Sequence, residues 1–418
     1  MKKLTLFLLV VLILNSAFLI RNCEAQWVQM SNGMGTNLPI LTFLSIGNNI
    51  FAGTDGLGIY RSTNNGGNWT SVNSGLTNPN VADLIVLGNN IFAGTLAGVF
   101  RSTNNGDSWT AVNSGLTNLK AYTFIVSGTN IFTGTFGGGV FLSTNNGTSW
   151  NPVNNGLTNL NIMSLLAVGT DIFAGTIGGG IFRSTNNGGN WSPVNSGLPL
   201  VPIISTLAVN GTNIFAGAFG GGVFRSTNNG GNWSTVNSGL TNDTIISLSV
   251  SGTYIFAGTF GGGIFISANN GGSWIKKNQG FTVPQNVWAI LIANNYIFAG
   301  TQLYSVWRRS YTEIIGIQNI ITEIPSMYSL SQNYPNPFNP TTLIKFAITK
   351  LSDVKIVVYD AKGREVQTLV NESLKPGTYE TSFDGSLLGG SSTLNSGVYF
   401  YKMMTEGFTE TKKMMMIK

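Results

Sequence analysis

Histidine is absent from this sequence, and cysteine occurs once in its 418 residues, at Cys23. Without histidine, the chain can have neither Ser-His-Asp catalysis nor a histidine-ligated metal site. Cys23 lies in an N-terminal segment that we predict is removed, so the mature chain would hold no disulfide and no reactive thiol. We therefore expect no metal and no cofactor.

Charge is also scarce. Charged residues make up 9% of the chain, and the formal net charge is +6. Removing residues 1–25 takes away three basic residues and one acidic residue, a loss of two positive charges that leaves +4. No basic cluster is interleaved with aromatic residues, so the sequence gives no indication of nucleic-acid binding.

A sustained 3.6-residue apolar period is missing from residues 26–310, so helices are not expected there. What the sequence does have is a repeated segment, Ser62-Thr63-Asn64-Asn65-Gly66-Gly67-Asn68-Trp69. Short runs rich in Ile, Val, Phe and Thr lie between Gly and Asn clusters, a pattern typical of strands and turns. The tryptophan recurs every 40 to 42 residues, at Trp109, Trp150, Trp191, Trp233 and Trp274. This spacing fits one four-stranded unit per repeat.

The repeated segment, called the box below, is interpreted as framework rather than as a ligand site. Ser62 and Asn64 can bond back to neighbouring backbone groups and close a turn. Gly66 can take a positive φ that a residue with a Cβ resists. Trp69 can bury its ring against the adjacent unit, which stabilises the chain by roughly 2–3 kcal/mol on area grounds.

The pattern Ser-x-Asn-x-Gly-x-x-Trp resembles the Asp-box, or bacterial neuraminidase repeat, of a class of β-propellers. The sequence departs from that family where Asn stands in place of the usual Asp, and Asn keeps the acceptor oxygen and the turn preference. The resemblance implies a β-propeller and implies no activity. The Asn positions are Asn64, Asn104, Asn145, Asn186, Asn228 and Asn269.

The two ends of the repeat region predict one more blade than the number of boxes. Near the N-terminus, 26–34 is similar to 68–76 and has the pattern of an isolated fourth strand. At the other end, Val287–Ile292, Tyr296–Thr301 and Val306–Arg309 have the pattern of strands one to three. Joining the two parts closes the ring and removes exposed sheet edges. The prediction is an all-β, seven-bladed β-propeller closed by N- and C-terminal strands, with six or eight blades as alternatives.

The domain boundaries follow from these patterns. Residues 1–25 are predicted to be a secretory signal peptide, with two lysines before an apolar core at Leu4–Leu14 and cleavage before Gln26. The alternative, a membrane anchor, is disfavoured because the apolar run is short for a span. Residues 26–310 form the predicted propeller, and 311–330 a linker, where the repeat is lost.

Residues 331–418 have a different composition and predict a small immunoglobulin-like β-sandwich, with strands near 342–349, 354–359, 364–370, 378–383, 398–404 and 408–417. Three segments, 333–342, 358–366 and 396–402, resemble the type A C-terminal sorting domain of the type IX secretion system. The resemblance implies a partner, the type IX secretion machinery, and a location that is secreted or on the outer-membrane surface of a Gram-negative bacterium. The alternative is an accessory domain without a sorting role.

The Asp-box resemblance also brings glycoside hydrolases into question. These enzymes generally need two carboxyl groups across the scissile bond, and the predicted propeller has no glutamate. Asp55 and Asp83 are weak candidates for a catalytic pair, because the turn after strand two and the start of strand one lie on the same face of a propeller. The alternative is that both are solvated loop residues.

Five residues break the repeat near that same face and are candidates for ligand binding: Lys120, Tyr122, Asp243, Trp288 and Tyr304. Propellers generally bind ligands at one mouth of the central channel. The leading hypothesis is a secreted or cell-surface, non-catalytic binding or adhesion module that acts as a monomer on an extracellular glycan or protein. The alternatives are a secreted glycoside hydrolase acting on polysaccharide and an assembly or scaffold factor of the cell envelope.

Overall fold

A computed structural model describes residues 26–35, 37–311, 318–321, 325–374, 376–385 and 394–417. The predicted signal peptide lies outside these described residues. Their regular structure is β, arranged as nine four-stranded sheets. Seven of the sheets form the blades of a propeller and two form the C-terminal tail, which confirms the all-β prediction.

Each blade is an antiparallel meander that runs outward from the centre. In the first blade the strands are β2 Ile40–Ile46, β3 Asn49–Thr54, β4 Ile59–Ser62 and the short β5 Thr70–Ser71. In β3 the run Ile50–Thr54 is buried throughout, because the two neighbouring blades cover the two faces of the sheet. This double burial explains why the second strands are continuous apolar runs instead of alternating ones.

The next five blades repeat this order. Their strands are β6 Val81–Leu87, β7 Asn90–Thr95, β8 Gly98–Ser102, β9 Thr110–Ala111; β10 Ala121–Ser127, β11 Asn130–Thr135, β12 Gly139–Ser143, β13 Asn151–Pro152; β14 Ile162–Val168, β15 Asp171–Thr176, β16 Ile181–Ser184, β17 Ser192–Pro193; β18 Ile204–Asn210, β19 Asn213–Ala218, β20 Gly222–Ser226, β21 Ser234–Thr235; β22 Ile245–Ser251, β23 Tyr254–Thr259, β24 Gly263–Ser267 and β25 Ile275–Lys276.

The last blade takes its strands from both ends of the propeller. It consists of β26 Val287–Ala293, β27 Tyr296–Thr301 and β28 Val306–Ser310, with β1 Val28–Gln29 as the outer strand. The sheet order is β1-β28-β27-β26, as the sequence predicts. Strand β26 contacts the inner strands of both the first and the sixth blade, so seven inner strands form a closed ring around a central channel.

Seven tryptophans join the blades at the outer edge. In each blade the indole N–H donates to a backbone carbonyl of the preceding blade at 2.7 to 2.8 Å, and no ring is more than 3% exposed. Trp27 belongs to this set and donates to Lys277 O at 2.7 Å. The set is Trp27, Trp69, Trp109, Trp150, Trp191, Trp233 and Trp274.

The box uses its polar groups internally. Ser62 Oγ accepts from the Gly66 N–H at 2.9 Å and donates to Asn64 Oδ1 at 3.0 Å. Asn64 Oδ1 also accepts from the Asn68 N–H at 2.8 Å. Gly66 has the predicted positive φ, 81°, and Asn65 has one of 54°. The geometry is that of a structural turn.

Arginine side chains join the blades at a second level. Arg61 donates to Asn105 O at 2.9 Å in the next blade, and Arg308 donates to Asn65 O at 2.6 Å across the ring closure. In the fourth blade, Arg183 pairs instead with Asp171 at 2.6 Å, and Asp171 accepts from Asn229 of the following blade. These contacts assign the arginines to the framework.

The tail is a β-sandwich of two sheets, in the orders β29-β34-β31-β30 and β33-β32-β35-β36. Residues from both sheets, such as Phe346 and Ile356, share one buried core. Each of the six strands predicted for this domain is present. The strands are β29 Gln318–Ile321, β30 Ser329–Leu330, β31 Thr341–Ile348, β32 Ser352–Asp360, β33 Glu365–Leu374, β34 Gly377–Asp384, β35 Gly397–Met404 and β36 Thr409–Met416.

Two of these strands fall within the predicted linker. Strand β29 pairs with β34, and β30 pairs with β31. They are not predicted from the sequence, because edge strands of four and two residues carry almost no periodic signal. The tail sandwich thus includes residues that precede residue 331.

Substituting Trp27 tests the ring closure. Trp27→Ala removes a buried ring that stacks on Phe281, with 5.1 Å between the ring centres, and that donates a hydrogen bond to Lys277 O of the sixth blade. We therefore expect the free energy of unfolding to fall by about 3–5 kcal/mol. Chemical unfolding measures this change. The control is Val28→Ala, one residue away and 55% exposed, which should change stability by less than about 0.5 kcal/mol. Equal effects of the two substitutions would contradict the closure.

Candidate functional site

A β-bulge near the start of every inner strand shapes the wall of the channel. In the second blade, the register passes from Val81↔Thr95 directly to Asp83↔Gly94, so Ala82 has no partner. The same irregularity occurs in the other six blades. A bulge bends its strand and re-aims the side chains beside it. The bulge residues are Leu41, Ala82, Tyr122, Met163, Ser205, Ile246 and Trp288.

These bulges line a cavity of about 350 Å³ at one end of the channel. Its wall consists of three tiers, each formed by equivalent positions of the inner strands. The first tier is the set of bulge residues. The third is apolar and comes from six of the seven strands: Phe43, Phe124, Leu165, Leu207, Leu248 and Ile290. The second tier, between them in sequence, is polar except for one alanine: Thr42, Asp83, Thr123, Ser164, Thr206, Ser247 and Ala289.

The second tier links neighbouring inner strands. Ser247 Oγ donates to Val287 O at 3.2 Å, and Thr206 Oγ1 accepts from the Leu248 N–H at 3.2 Å. Both bonds cross from one blade to the next. The hydroxyl groups of this tier therefore hold the inner strands together while they line the cavity.

Asp83 is the only charged residue among those that line the cavity. Its Oδ1 accepts from Thr42 Oγ1 at 3.1 Å and from the Leu84 N–H at 2.8 Å, and its Oδ2 accepts from the Phe124 N–H at 2.7 Å. Among the described residues, no Lys or Arg forms an ion pair with it. Burial raises the pKa of the Asp83 carboxyl to about 6, and the hydrogen bonds only partly oppose this shift.

Tyr122 and Asp55 lie at the same end of the channel. Tyr122 lines the cavity, and burial together with the nearby Asp55 carboxylate raises the pKa of its hydroxyl. Asp55 follows β3 and forms a β-bridge with Asn80, just before β6. The structure therefore brings together Asp55, Asp83 and Tyr122, which the sequence singled out separately.

Trp288 also lines the cavity, on the closing blade. Its indole N–H is buried and has no hydrogen-bond acceptor in the described structure. A buried donor without an acceptor is uncommon and destabilises the fold. Trp288 therefore has an unused hydrogen-bond donor at the wall of the cavity.

Three other candidates lie outside the cavity lining. Lys120 Nζ stands 5.7 Å from the centre of the Phe136 ring. Asp243 is exposed, and its backbone carbonyl accepts from the Gly222 N–H at 2.7 Å. Tyr304 accepts a bond from Gln29 Nε2 through its backbone carbonyl at 2.9 Å. Their part in binding stays a prediction.

Exposed apolar side chains occur on the turns that follow the second strands. These turns form backbone hydrogen bonds with the residues just before the inner strands. Phe136 N–H, for example, donates to Lys120 O at 3.1 Å, directly before β10. We call this set the apolar rim. Its members are Leu57, Leu96, Phe136, Phe219 and Phe260, each at least 40% exposed. The rim therefore lies on the face where the cavity is located.

Within the described ranges, no group of three or more Asp, Glu, His or Cys side chains is placed to hold a metal ion. The same ranges contain no helix with the length and apolar character needed to cross a bilayer.

Comparison with known families defines the class of both parts. The chain belongs to the DUF6242 beta propeller domain family, whose model matches residues 72–320. Residues 332–418 match the model described as a secretion system C-terminal sorting domain. This tail marks an exported protein, which reaches the outer-membrane surface or the medium through the type IX secretion machinery. No curated protein matches the chain.

Solved structures with a similar fold share little sequence. The extracellular domain of the one-component system protein BT4673 of B. thetaiotaomicron has a TM-score of 0.56 at 18% identity, over 78% of this chain and 45% of that one. PorZ of Porphyromonas gingivalis, described as a surface component of the type IX secretion system, has a TM-score of 0.55 at 13% identity, over 93% of this chain and 60% of PorZ. YCF48 of Cyanidioschyzon merolae has a TM-score of 0.55 at 15% identity, over 69% of this chain and 99% of YCF48. This chain thus spans less than two thirds of the first two, and the likeness concerns the fold.

The pKa of Asp83 predicts how stability depends on pH. The folded chain keeps a proton on Asp83 up to about pH 6, whereas the ordinary value is 3.8. The folded state then binds more protons than the unfolded state between these values, so the free energy of unfolding contributed by Asp83 falls as the pH rises. In Asp83→Thr this contribution is absent. We expect the stability of the variant relative to wild type to rise by up to about 3 kcal/mol between about pH 4 and pH 7.

Denaturant unfolding at a series of pH values measures this difference. Asp107→Thr is the control, since it makes the same change at a carboxylate that is 61% exposed and pairs with Arg61. Other blades already have Thr at these positions: Thr42 is equivalent to Asp83, and Thr148 is equivalent to Asp107. A stability difference for Asp83→Thr that does not change with pH would contradict the argument.

Proposed function

We propose that this exported protein is a non-catalytic binding module whose propeller takes an extracellular glycan or protein at the channel end lined by Tyr122 and Trp288. The observation that carries the proposal is the cavity itself. Ligand sites are mostly concave and apolar, with a few placed polar groups, and this cavity combines aromatic side chains with a single carboxylate.

The position of the irregular residues supports the same conclusion. A specific site needs asymmetry, and the repeats are otherwise closely alike. The first tier holds two aromatic residues, Tyr122 and Trp288, among smaller or aliphatic ones. The second tier holds one charged residue, Asp83, among hydroxyl groups and one alanine. The framework uses the box and the seven outer tryptophans for stability, and Tyr122 and Trp288 belong to neither set. We expect the module to act as a monomer, without nucleic acid.

Binding to printed glycan and peptide arrays tests the proposal. Tyr122→Ala and Trp288→Ala remove the aromatic walls of the cavity, and Ala82 shows that the repeat accepts alanine at this position. We expect each substitution to weaken binding of any array ligand by about tenfold or more, since aromatic anchors dominate binding energies. Leu200→Ala is the control, because Leu200 is 95% exposed and outside the lining. Unchanged binding by both cavity variants would exclude the channel.

A glycoside hydrolase is the second candidate, and Asp83 is the observation that favours it. A carboxyl group with a pKa of about 6 is suited to general-acid catalysis, and Asp55 lies near the same end of the channel. Against this, both oxygens of Asp83 accept hydrogen bonds from Thr42 and the backbone. These bonds fit a structural carboxylate better than one that donates a proton to a substrate.

Release of reducing sugar separates the two candidates. We expect the purified wild-type protein to bind without turnover when it is incubated with polysaccharides that score on the glycan array. Turnover that is lost in Asp55→Asn or Asp83→Asn, with binding retained, would establish the hydrolase instead.

An assembly or scaffold role in the envelope is a further alternative. PorZ is described as a component of the type IX secretion system, but at 13% identity it shares the fold with this chain and carries no role over to it. The channel site and the sorting tail account for binding and export without such a role.

A further inference from the structure

The cavity carries one uncompensated negative charge. Its lining contains no Lys and no Arg, and the groups that hold Asp83 are neutral donors: the Thr42 hydroxyl and the N–H groups of Leu84 and Phe124. Charges away from bulk water are strongly destabilising unless they are paired. A cation that entered the cavity would supply the missing partner.

The walls favour an organic cation over a metal ion. Calcium and magnesium need six or more oxygen ligands, whereas the tier of Asp83 offers one carboxylate and hydroxyls, several of which already bond to the neighbouring strand. Tyr122 and Trp288 present aromatic rings, which attract ammonium and guanidinium groups. The volume of about 350 Å³ is near the lower limit for small-molecule sites.

Two further features indicate that the cation is part of a polypeptide. The Trp288 indole N–H lacks an acceptor, and a peptide carbonyl beside a basic side chain would provide one. The apolar rim exposes Phe136, Phe219 and Phe260 on the same face, and exposed apolar patches mark surfaces for protein interaction. A free small amine would leave the rim uncovered.

We propose that the channel binds the lysine or arginine side chain of an extracellular polypeptide, with the cationic group at Asp83, the peptide carbonyl at Trp288 and flanking apolar residues on the rim. This inference rests on the proposed binding function and specifies its ligand. It uses the charge of the cavity, which a neutral glycan would not need.

Isothermal titration calorimetry with two capped peptides tests the proposal on the purified full chain. The first is acetyl-Leu-Gly-Lys-Gly-Leu-amide, and the second replaces Lys with Gln. We expect the Lys peptide to bind at least about tenfold more tightly, the difference that one ion pair at a partly buried site provides. Asp83→Thr should abolish this preference, and so should Asp83→Asn, which keeps the shape of the side chain.

Asp107→Thr is the matched control and should keep the preference, because it removes the same charge outside the channel. Equal binding of the two peptides by wild type, or a preference that survives in both Asp83 variants, would overturn the inference. If n-butylammonium binds as tightly as the Lys peptide, the choice of a polypeptide is wrong. A ligand that depends on Tyr122 but not on charge would overturn the inference and leave the proposed function standing.

Discussion

Closure of the ring is the constraint on which the rest of the structure depends. A blade of this propeller has an apolar surface on both faces of its sheet, so it is stable only between two neighbours. The indole N–H bonds of the seven tryptophans run in one direction around the ring, from each blade to the one before it. At the joint, Trp27 bonds Lys277, and Arg308 bonds Asn65. Strands from the two ends of the propeller therefore meet in one sheet, β1 with β28.

Closure also decides where chemistry can occur. The outer strands and the box use their polar groups for contacts within and between blades, as Ser62 and Asn64 do. Close packing fixes some of these positions: a Cβ on Gly75 would lie 2.1 Å from Trp109 O, and the φ of Gly75 is positive. The inner strands are less constrained, because one side of each bulge faces open space. Variation at the bulge residues changes the cavity and leaves the contacts of the box and the outer tryptophans in place.

The sequence predicted the framework well because its signals are local and repeated. The spacing of the tryptophans, the isolated segment around Trp27 and the six tail strands each follow from a few neighbouring residues. The cavity was harder to predict. Tyr122 and Trp288 stood out as breaks in the repeat, but the bulges that turn them to the channel leave no signature in a single sequence. For Asp83 the sequence leaves two alternatives, a catalytic carboxylate and a solvated loop residue, because the bulge next to it that shapes the wall has no local signature.

The contrast between Asp171 and Asp83 shows how one residue type serves two purposes in the same ring. Asp171 lies on a second strand, where Arg183 neutralises it and Asn229 ties it to the next blade, so its charge stabilises the framework. Asp83 lies on an inner strand, where the described groups that bond to it are neutral and burial raises its pKa to about 6. Threonine stands at the same position in three other blades, where no charge enters the wall of the channel. Asp83 thus has no cationic partner among the described residues such as Arg183 gives Asp171, and this unpaired charge is what the proposed cationic ligand would meet.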